Sequence, residues 1–292
     1  MKNDCIRFDW AAKYILRDKA DFSIFAEFVS VIIGQPIEII EFIESESNKK
    51  EEKDKMNRVD IKAKDAKGDI IIVEIQQAPQ YEFMKRILFG TSKTITEYMK
   101  SGQDYKNVKK VYSINVLYFD FGEGDDYLYH GFTQLVGVNT GNTLIITLKE
   151  QNGIKIITPK DIFPEYYIIR VRQFEGQGNT PLEQWMRYLK EGEIDSETEL
   201  PGLRKAMEKL NVINMSRKER KEYEEHLDNM AYQRDAFKGS QIRGEIIGEK
   251  RGFEKGIEKG IEQGKNEILQ ELVKKMRDMG MDENTIQQLI AQ

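Results

Sequence analysis

The sequence predicts a mixed α/β fold followed by an all-α C-terminal extension. Short runs rich in aromatic and β-branched residues alternate with helix-period segments through about the first 150 residues, and Gly, Pro and Asn-Gly punctuate them. After Pro181 the strand signature gives way to long, highly charged helical segments.

The elements follow in order. From Phe8 to Ile33 apolar residues recur at helical spacing (Phe22, Phe25, Ala26, Val29, Ile32, Ile33), and Gly34-Gln35-Pro36 supplies the stop. A strand-like run occupies 37 to 46, and two short strands at about 57 to 64 and 69 to 77 flank the turn Asp65-Ala66-Lys67-Gly68-Asp69. Past Pro79 a helix is expected from Tyr81 to about Lys100, closed by Ser101-Gly102. Further strands are expected within 109 to 121, 126 to 137 and 142 to 150.

Beyond these, Pro201-Gly202 separates two helical segments, and Gly244, Gly248, Gly252, Gly256, Gly260 and Gly264 recur at every fourth residue. Each such glycine costs a helix about 0.8–1.0 kcal/mol relative to alanine. Successive glycines advance about 40° around a 3.6-residue helix, so they wrap around it and mark no single seam. Self-association of the C-terminal helices into a homo-oligomer and a solvated connector both stay open here. The stretches from Ile268 to Gly280 and from Asp282 to Ala291 read as a helix pair with Asp282 as N-cap. The expected divisions are a core at 1–178, a charged helical region at 179–240, the glycine-repeat helix or connector at 241–266, and the helix pair at 267–292.

The 292 residues suffice for one good core with an appendage. A net charge of -5, from 45 Lys and Arg against 50 Asp and Glu, argues against binding nucleic acid through bulk charge. No run reaches the ~18 apolar residues of a membrane span, and MKNDCIRFDW lacks the apolar centre of a signal peptide, so no membrane association is expected. Cys5 is the only cysteine, which excludes an intramolecular disulfide and a cysteine-based zinc site and makes a cytoplasmic location the expectation. With only His130 and His226 to supply imidazole, a metal site would be built mainly from oxygen, favouring magnesium or manganese over zinc. No glycine-rich phosphate loop, nucleophile elbow or HExxH stretch is present.

The turn at 65–69 suggests a hairpin whose three-residue loop, 66 to 68, ends on Gly68 with positive φ. That register pairs residues summing to 134 and sets Asp60 opposite Glu74. Arg58, Asp60 and Lys62 then share a face with Ile72, Glu74 and Gln76, while Val59, Ile61 and Ala63 face Ile71, Val73 and Ile75 on the core side. Two opposed carboxylates repel. Either a divalent cation between them reverses the sign, or Arg58 and Lys62 neutralise them in an exposed ladder.

The order helix, strand, Asp-bearing strand, apolar run ending in Glu-X-Gln, helix resembles the PD-(D/E)XK nuclease superfamily. More narrowly, RVDIKAKDAKGDIIIVEIQ followed by KRILFGTSKTITEYMKSGQDYKNVKKVYSINVLYFDF is similar to the PD-(D/E)XK nuclease family transposases, relatives of the recombination-promoting Rpn nucleases. The resemblance covers roughly residues 5 to 150. It implies a restriction-endonuclease-like core, a mixed central sheet flanked by helices, and a Mg2+- (or Mn2+-) dependent DNA endonuclease linked to recombination or mobile elements. By that resemblance Asp60, Glu74 and the backbone carbonyl of Ile75 would hold the metal, Glu27 would be an outer ligand, and Gln76 stands where many members have lysine. An amide orients a water but is no base. Arg86 is the preferred phosphate-binding cation, with Lys62 and Lys85 as alternatives, and Lys62, Lys85, Arg86, Lys109 and Lys110 are candidate nucleic-acid contacts. The alternative is a degenerate nuclease fold serving as a DNA-binding or assembly module.

Overall fold

The alternating apolar residues of the hairpin strands fold into the middle of a six-stranded sheet. The computed structural model describes residues 21–43, 61–80, 82–99, 104–150, 153–209 and 216–290. Two compact units result, Met1–Met230 and Ala231–Gln292.

In chain order the elements are α1 (Ser23–Ile33), β1 (Ile39–Phe42), β2 (Ile61–Asp65), β3 (Ile70–Gln76), α2 (Phe83–Glu97), β4 (Val111–Leu117), β5 (Leu128–Gly131), β6 (Ile146–Glu150), β7 (Gly153–Ile157), α3 (Pro159–Ile162), β8 (Glu165–Arg170), α4 (Pro181–Glu191), α5 (Pro201–Lys209), α6 (Arg217–Asp278) and α7 (Glu283–Ile290). The sheet order is β1-β2-β3-β4-β8-β5, with β6 and β7 forming a separate hairpin. Strands β3, β4 and β8 run parallel, while β1, β2 and β5 are antiparallel to their neighbours. This is the mixed sheet the sequence predicts.

The β2–β3 turn sets the register. One carboxylate oxygen of Asp65 accepts from the backbone N–H of Lys67 at 2.9 Å and of Asp69 at 2.8 Å. Gly68 takes the left-handed conformation (φ 84°) that closes the loop without a Cβ penalty. The pairs Ile61↔Val73, Lys62↔Ile72, Ala63↔Ile71 and Lys64↔Ile70 all sum to 134, as expected.

Because side chains alternate, this register decides what each face meets. On one side Ile61, Ala63, Ile71 and Val73 join Ile114, Val116, Tyr167 and Ile169 in the main core, against Phe25, Phe28 and Val29 of α1. On the other, Ile70, Ile72 and Val111 pack with Ile95 and Tyr98, and Leu117 with Phe83 and Ile87, so that α2 covers this face. Helix α1 ends at Gly34 (φ 78°), the stop read from sequence. The helix begins at Ser23, with residues 21 and 22 before it not helical, and the part of the expected helical stretch from Phe8 to residue 20 lies outside the described residues.

The structure departs from expectation in three places. The sequence carries no alternating strand signature for β8, although it lies between β4 and β5. A parallel strand covered on both faces carries no polar/apolar alternation, and EYYIIR shows none. Strand β7 and the capped turn of α3, where Thr158 and Asp161 form a capping box, were likewise unread. The core also continues past residue 178. Pro181 opens α4 behind its N-cap Thr180, and Trp185, Met186, Tyr188 and Leu189 pack into the main core, with the Trp185 ring 5.3 Å from that of Phe28. In the second unit the glycine repeat is uninterrupted helix, and at none of the six glycines would a Cβ come within 4 Å of any atom beyond the adjoining helix backbone and neighbouring residues. Gly280 (φ 84°) then separates α6 from α7.

A buried carboxylate ties β8 to its neighbours. Glu165 accepts from Lys110 Nζ at 2.5 Å and from Tyr167 at 3.0 Å, and it meets His130 Nε2 at 2.6 Å, with the His130 ring stacked on Tyr167. Burial pushes the Glu165 carboxyl up, but the bonds from Lys110, His130 and Tyr167 outweigh it and hold the group below its usual range. A depressed folded-state value gives stability that is present above the unfolded value and lost as pH falls through the folded one. Glu165→Gln should therefore be less stable at neutral pH by about 3–5 kcal/mol, since Lys110 loses its buried partner. It should also lose less stability than the natural chain between about pH 5 and about pH 3, as urea unfolding at each pH would show.

Candidate active site

Even-numbered residues of β3 face α2, and the pairing with β4 sets Glu74 beside Asn115. The lower part of this face is apolar, whereas its upper part is polar. Glu74 is only 6% exposed, deep enough that an ionised carboxylate needs a counter-charge. Arg86 supplies it, through an ion pair from Nη2 to the Glu74 carboxylate, while its Nη1 donates to the Gln80 side chain. Asn115 is buried alongside and donates to the Ser113 carbonyl at 3.2 Å and, across to β8, to the Tyr167 carbonyl at 3.3 Å.

The turn into α2 aims Arg86. Glu82 has φ 61°, the only positive φ on a non-glycine residue among the described residues, at a cost of roughly 1–3 kcal/mol. Its carbonyl accepts from the N–H of Lys85 at 2.9 Å and of Arg86 at 3.1 Å, and its carboxylate pairs with Lys85 Nζ. Lys85 thus takes the Glu82 carboxylate, and Arg86 pairs with Glu74. Strain stored beside a buried charge pair is a recurring mark of functional sites.

The remaining candidates are distributed as follows. Asp60, with Arg58, lies outside the described residues. Ile75 and Gln76 complete β3 next to Glu74. Even residues of β3 bond to β4, as Ile70 N–H does to the Lys110 carbonyl, so the Ile75 peptide groups turn to the β2 side. Lys62 shares the Glu74 face but reaches the far end of α2, donating to Glu97 at 2.5 Å with its ammonium 4.9 Å from the Tyr98 ring centre. Among the described residues no group of three or more His, Cys, Asp or Glu side chains comes together.

Two expectations are corrected by these contacts. Glu27 does not face the Glu74 pocket. It accepts from the N–H groups of Gly202 at 2.8 Å and Leu203 at 3.2 Å, on the α1 side of the sheet, because the first turn of α5 leaves donors that a carboxylate satisfies. Gly202 permits the approach, since a Cβ there would sit 2.8 Å from the carboxylate. Lys109 and Lys110 also stand elsewhere. Lys110 precedes Val111, the partner of Ile70, and so lies five residues, roughly 16 Å, along the strand from the level of Glu74, and Glu165 holds its ammonium there. Sequence reading missed Asn115 and the Arg86–Glu74 pair. A buried asparagine within SINVL looks like any strand residue until its burial is known, and an ion pair from helix to strand has no fixed spacing.

A family model described as PD-(D/E)XK nuclease family transposase matches residues 6–239. That span takes in the whole sheet, α1 to α5 and the start of α6, and the chain belongs to that family. No curated protein and no solved structure matches the chain. No helix among the described residues is long and apolar enough to cross a membrane.

The position of Glu27 yields a direct check. Glu27→Ala should lower stability by about 1–2 kcal/mol through loss of the α5 cap, and it should leave Mn2+ affinity measured by calorimetry unchanged. Loss of metal binding with unaltered stability would return Glu27 to the ligand set.

Proposed function

Because the chain belongs to the PD-(D/E)XK nuclease family transposases, we propose that it is a Mg2+- or Mn2+-dependent DNA endonuclease, hydrolysing phosphodiester bonds in recombination or mobile-element processing in the cytoplasm. The observation that carries this reading is the β2–β3 register. The described ladder descends to Ile61↔Val73, and continuing that progression by one step would set Asp60 with Glu74. Asp65 and Asp69 form a hydrogen-bonded pair, so by alternation Asp60 and Glu74 would form a non-hydrogen-bonded one, with Cα atoms about 4.5 Å apart and the closer side-chain spacing.

The residues present fit a hard cation. Glu74 already holds its buried carboxylate against a positive group, and the two carboxylates with the Ile75 carbonyl make an all-oxygen donor set suited to magnesium or manganese. When bound, the ion supplies Lewis-acid polarisation of the scissile phosphate and activation of a water. Asp60, Glu74 and the Ile75 carbonyl hold it in this reading. Arg86 offers a planar guanidinium able to engage two phosphate oxygens, and exposed Lys85 adds positive charge at the same turn. Gln76 orients the water by hydrogen bonds and takes no proton. Lys62, held by Glu97, secures α2 to the sheet instead of meeting DNA. The C-terminal helices would gather copies of the chain.

Two observations favour a second reading, a degenerate nuclease fold retained for DNA binding or assembly. Glutamine stands at 76, and the Glu74 carboxylate is already neutralised by Arg86. Plasmid nicking with Mg2+, Mn2+, Ca2+ and a chelator separates the two. The endonuclease reading expects nicking with Mg2+ or Mn2+ that drops at least about 100-fold in both Asp60→Ala and Glu74→Ala, with the circular dichroism spectrum retained. DNA retention without nicking by the natural chain under any metal would establish the second.

Arg86 gives a second expectation. A metal and a guanidinium compete for one carboxylate, so Arg86→Ala should bind Mn2+ about tenfold more tightly by calorimetry. In chelator it should be less stable by about 3–5 kcal/mol, having an uncompensated buried charge. Unchanged Mn2+ affinity would show that Glu74 does not bind the ion.

A further inference from the structure

The second unit carries an uncovered apolar stripe that the nuclease reading does not use. Steps of 4, 4 and 3 residues from Ile242 to Leu272 visit nine positions of α6, and seven of them are large and apolar: Ile242, Ile246, Phe253, Ile257, Ile261, Ile268 and Leu272. All seven are exposed, from 47% for Ile242 and Leu272 to 72% for Phe253. Eleven residues per three turns is about 3.67 per turn, close to the natural helix, so these positions form one nearly straight seam with at most a slight right-handed supercoil. The glycines lie largely off it, and a glycine-rich helix standing in water lacks the packing that most helices depend on.

We propose that this seam is an interface with a second copy of the chain, paired antiparallel about Ile257. Charge selects both the partner and the direction. The segment 242–272 holds six basic and seven acidic residues in alternation, so it offers no single-sign surface to a polyanion such as DNA or to an acidic or basic protein. It suits a copy of itself. The two positions of the seam that are not large and apolar are Lys250 and Gly264. A parallel pair in register would press Lys250 against Lys250. An antiparallel pair about Ile257 matches residues summing to 514, which sets Lys250 against Gly264, where no side chain opposes the lysine stem and its charge can reach water. The same register joins Ile246 to Ile268 and Phe253 to Ile261, and it brings Arg243 to Glu271 and Glu249 to Lys265 along the flanks. The inference stands independently of nuclease activity.

Two experiments on the full-length chain test it. In a Cys5→Ser background, Ile246→Cys and Ile268→Cys variants are oxidised separately and mixed. Antiparallel pairing gives a disulfide-linked dimer only in the mixture; cross-linking of each variant alone, or none at all, overturns it. By sedimentation equilibrium at about 10 μM the natural chain should be a dimer, and Ile257→Asp with Ile261→Asp should weaken association at least about 100-fold, while the off-seam Ile247→Asp leaves it intact. A monomeric natural chain, or association insensitive to the paired substitution, refutes the interface. The cysteine variants keep the seam apolar, so they decide the matter even if the aspartate variant misfolds.

Discussion

Register in the β2–β3 hairpin is the constraint on which the rest depends. Asp65 fixes it by holding two backbone N–H groups with one oxygen, and Gly68 closes the loop in a conformation other residues resist. A slip of one residue would turn Ile61 and Ala63 out of the main core and drive Lys62 into it. The five-residue turn between β2 and β3 therefore decides which side chains of these two strands meet each layer. The α1 face is then mainly apolar, its buried charge limited to Glu165 with its partners and to Glu27, and the Glu74–Arg86 pair stands on the α2 face.

On that second face one polar patch is tolerated because it is neutralised locally. An ionised carboxylate as buried as Glu74 is expensive alone, and the left-handed turn at Glu82 directs Arg86 onto it. The strain at Glu82 and the burial of Glu74 belong to one arrangement, since neither improves folding by itself. A guanidinium resting on an acid at the end of a central strand keeps a positive charge where hydrolysis of a phosphodiester would call for one. In the proposed reading Arg86 supplies the positive charge that glutamine at position 76 cannot.

The parts of the molecule legible in sequence were those governed by local rules. The hairpin register followed from turn chemistry, the end of α1 from Gly34, and the break before α7 from Gly280. What escaped was set by distant packing. Strand β8 has no alternation because helices and strands cover both its faces, and Trp185 enters the main core from a segment whose composition reads as a surface helix. Glu27 and Lys110 looked available for ligands by type alone. Their partners, the α5 N-terminus and Glu165, lie 175 and 55 residues away in the chain, beyond any motif spacing. Asp60 is expected from the register alone, since the ladder as described ends at its neighbour Ile61.

The most direct measurement is anomalous scattering from crystals of the natural chain grown with Mn2+. A shared-ion site predicts a manganese peak bonded to both Asp60 and Glu74, with the Arg86 guanidinium withdrawn from the Glu74 carboxylate. Saturating Mn2+ with no peak there, and Arg86 still paired with Glu74, would contradict it.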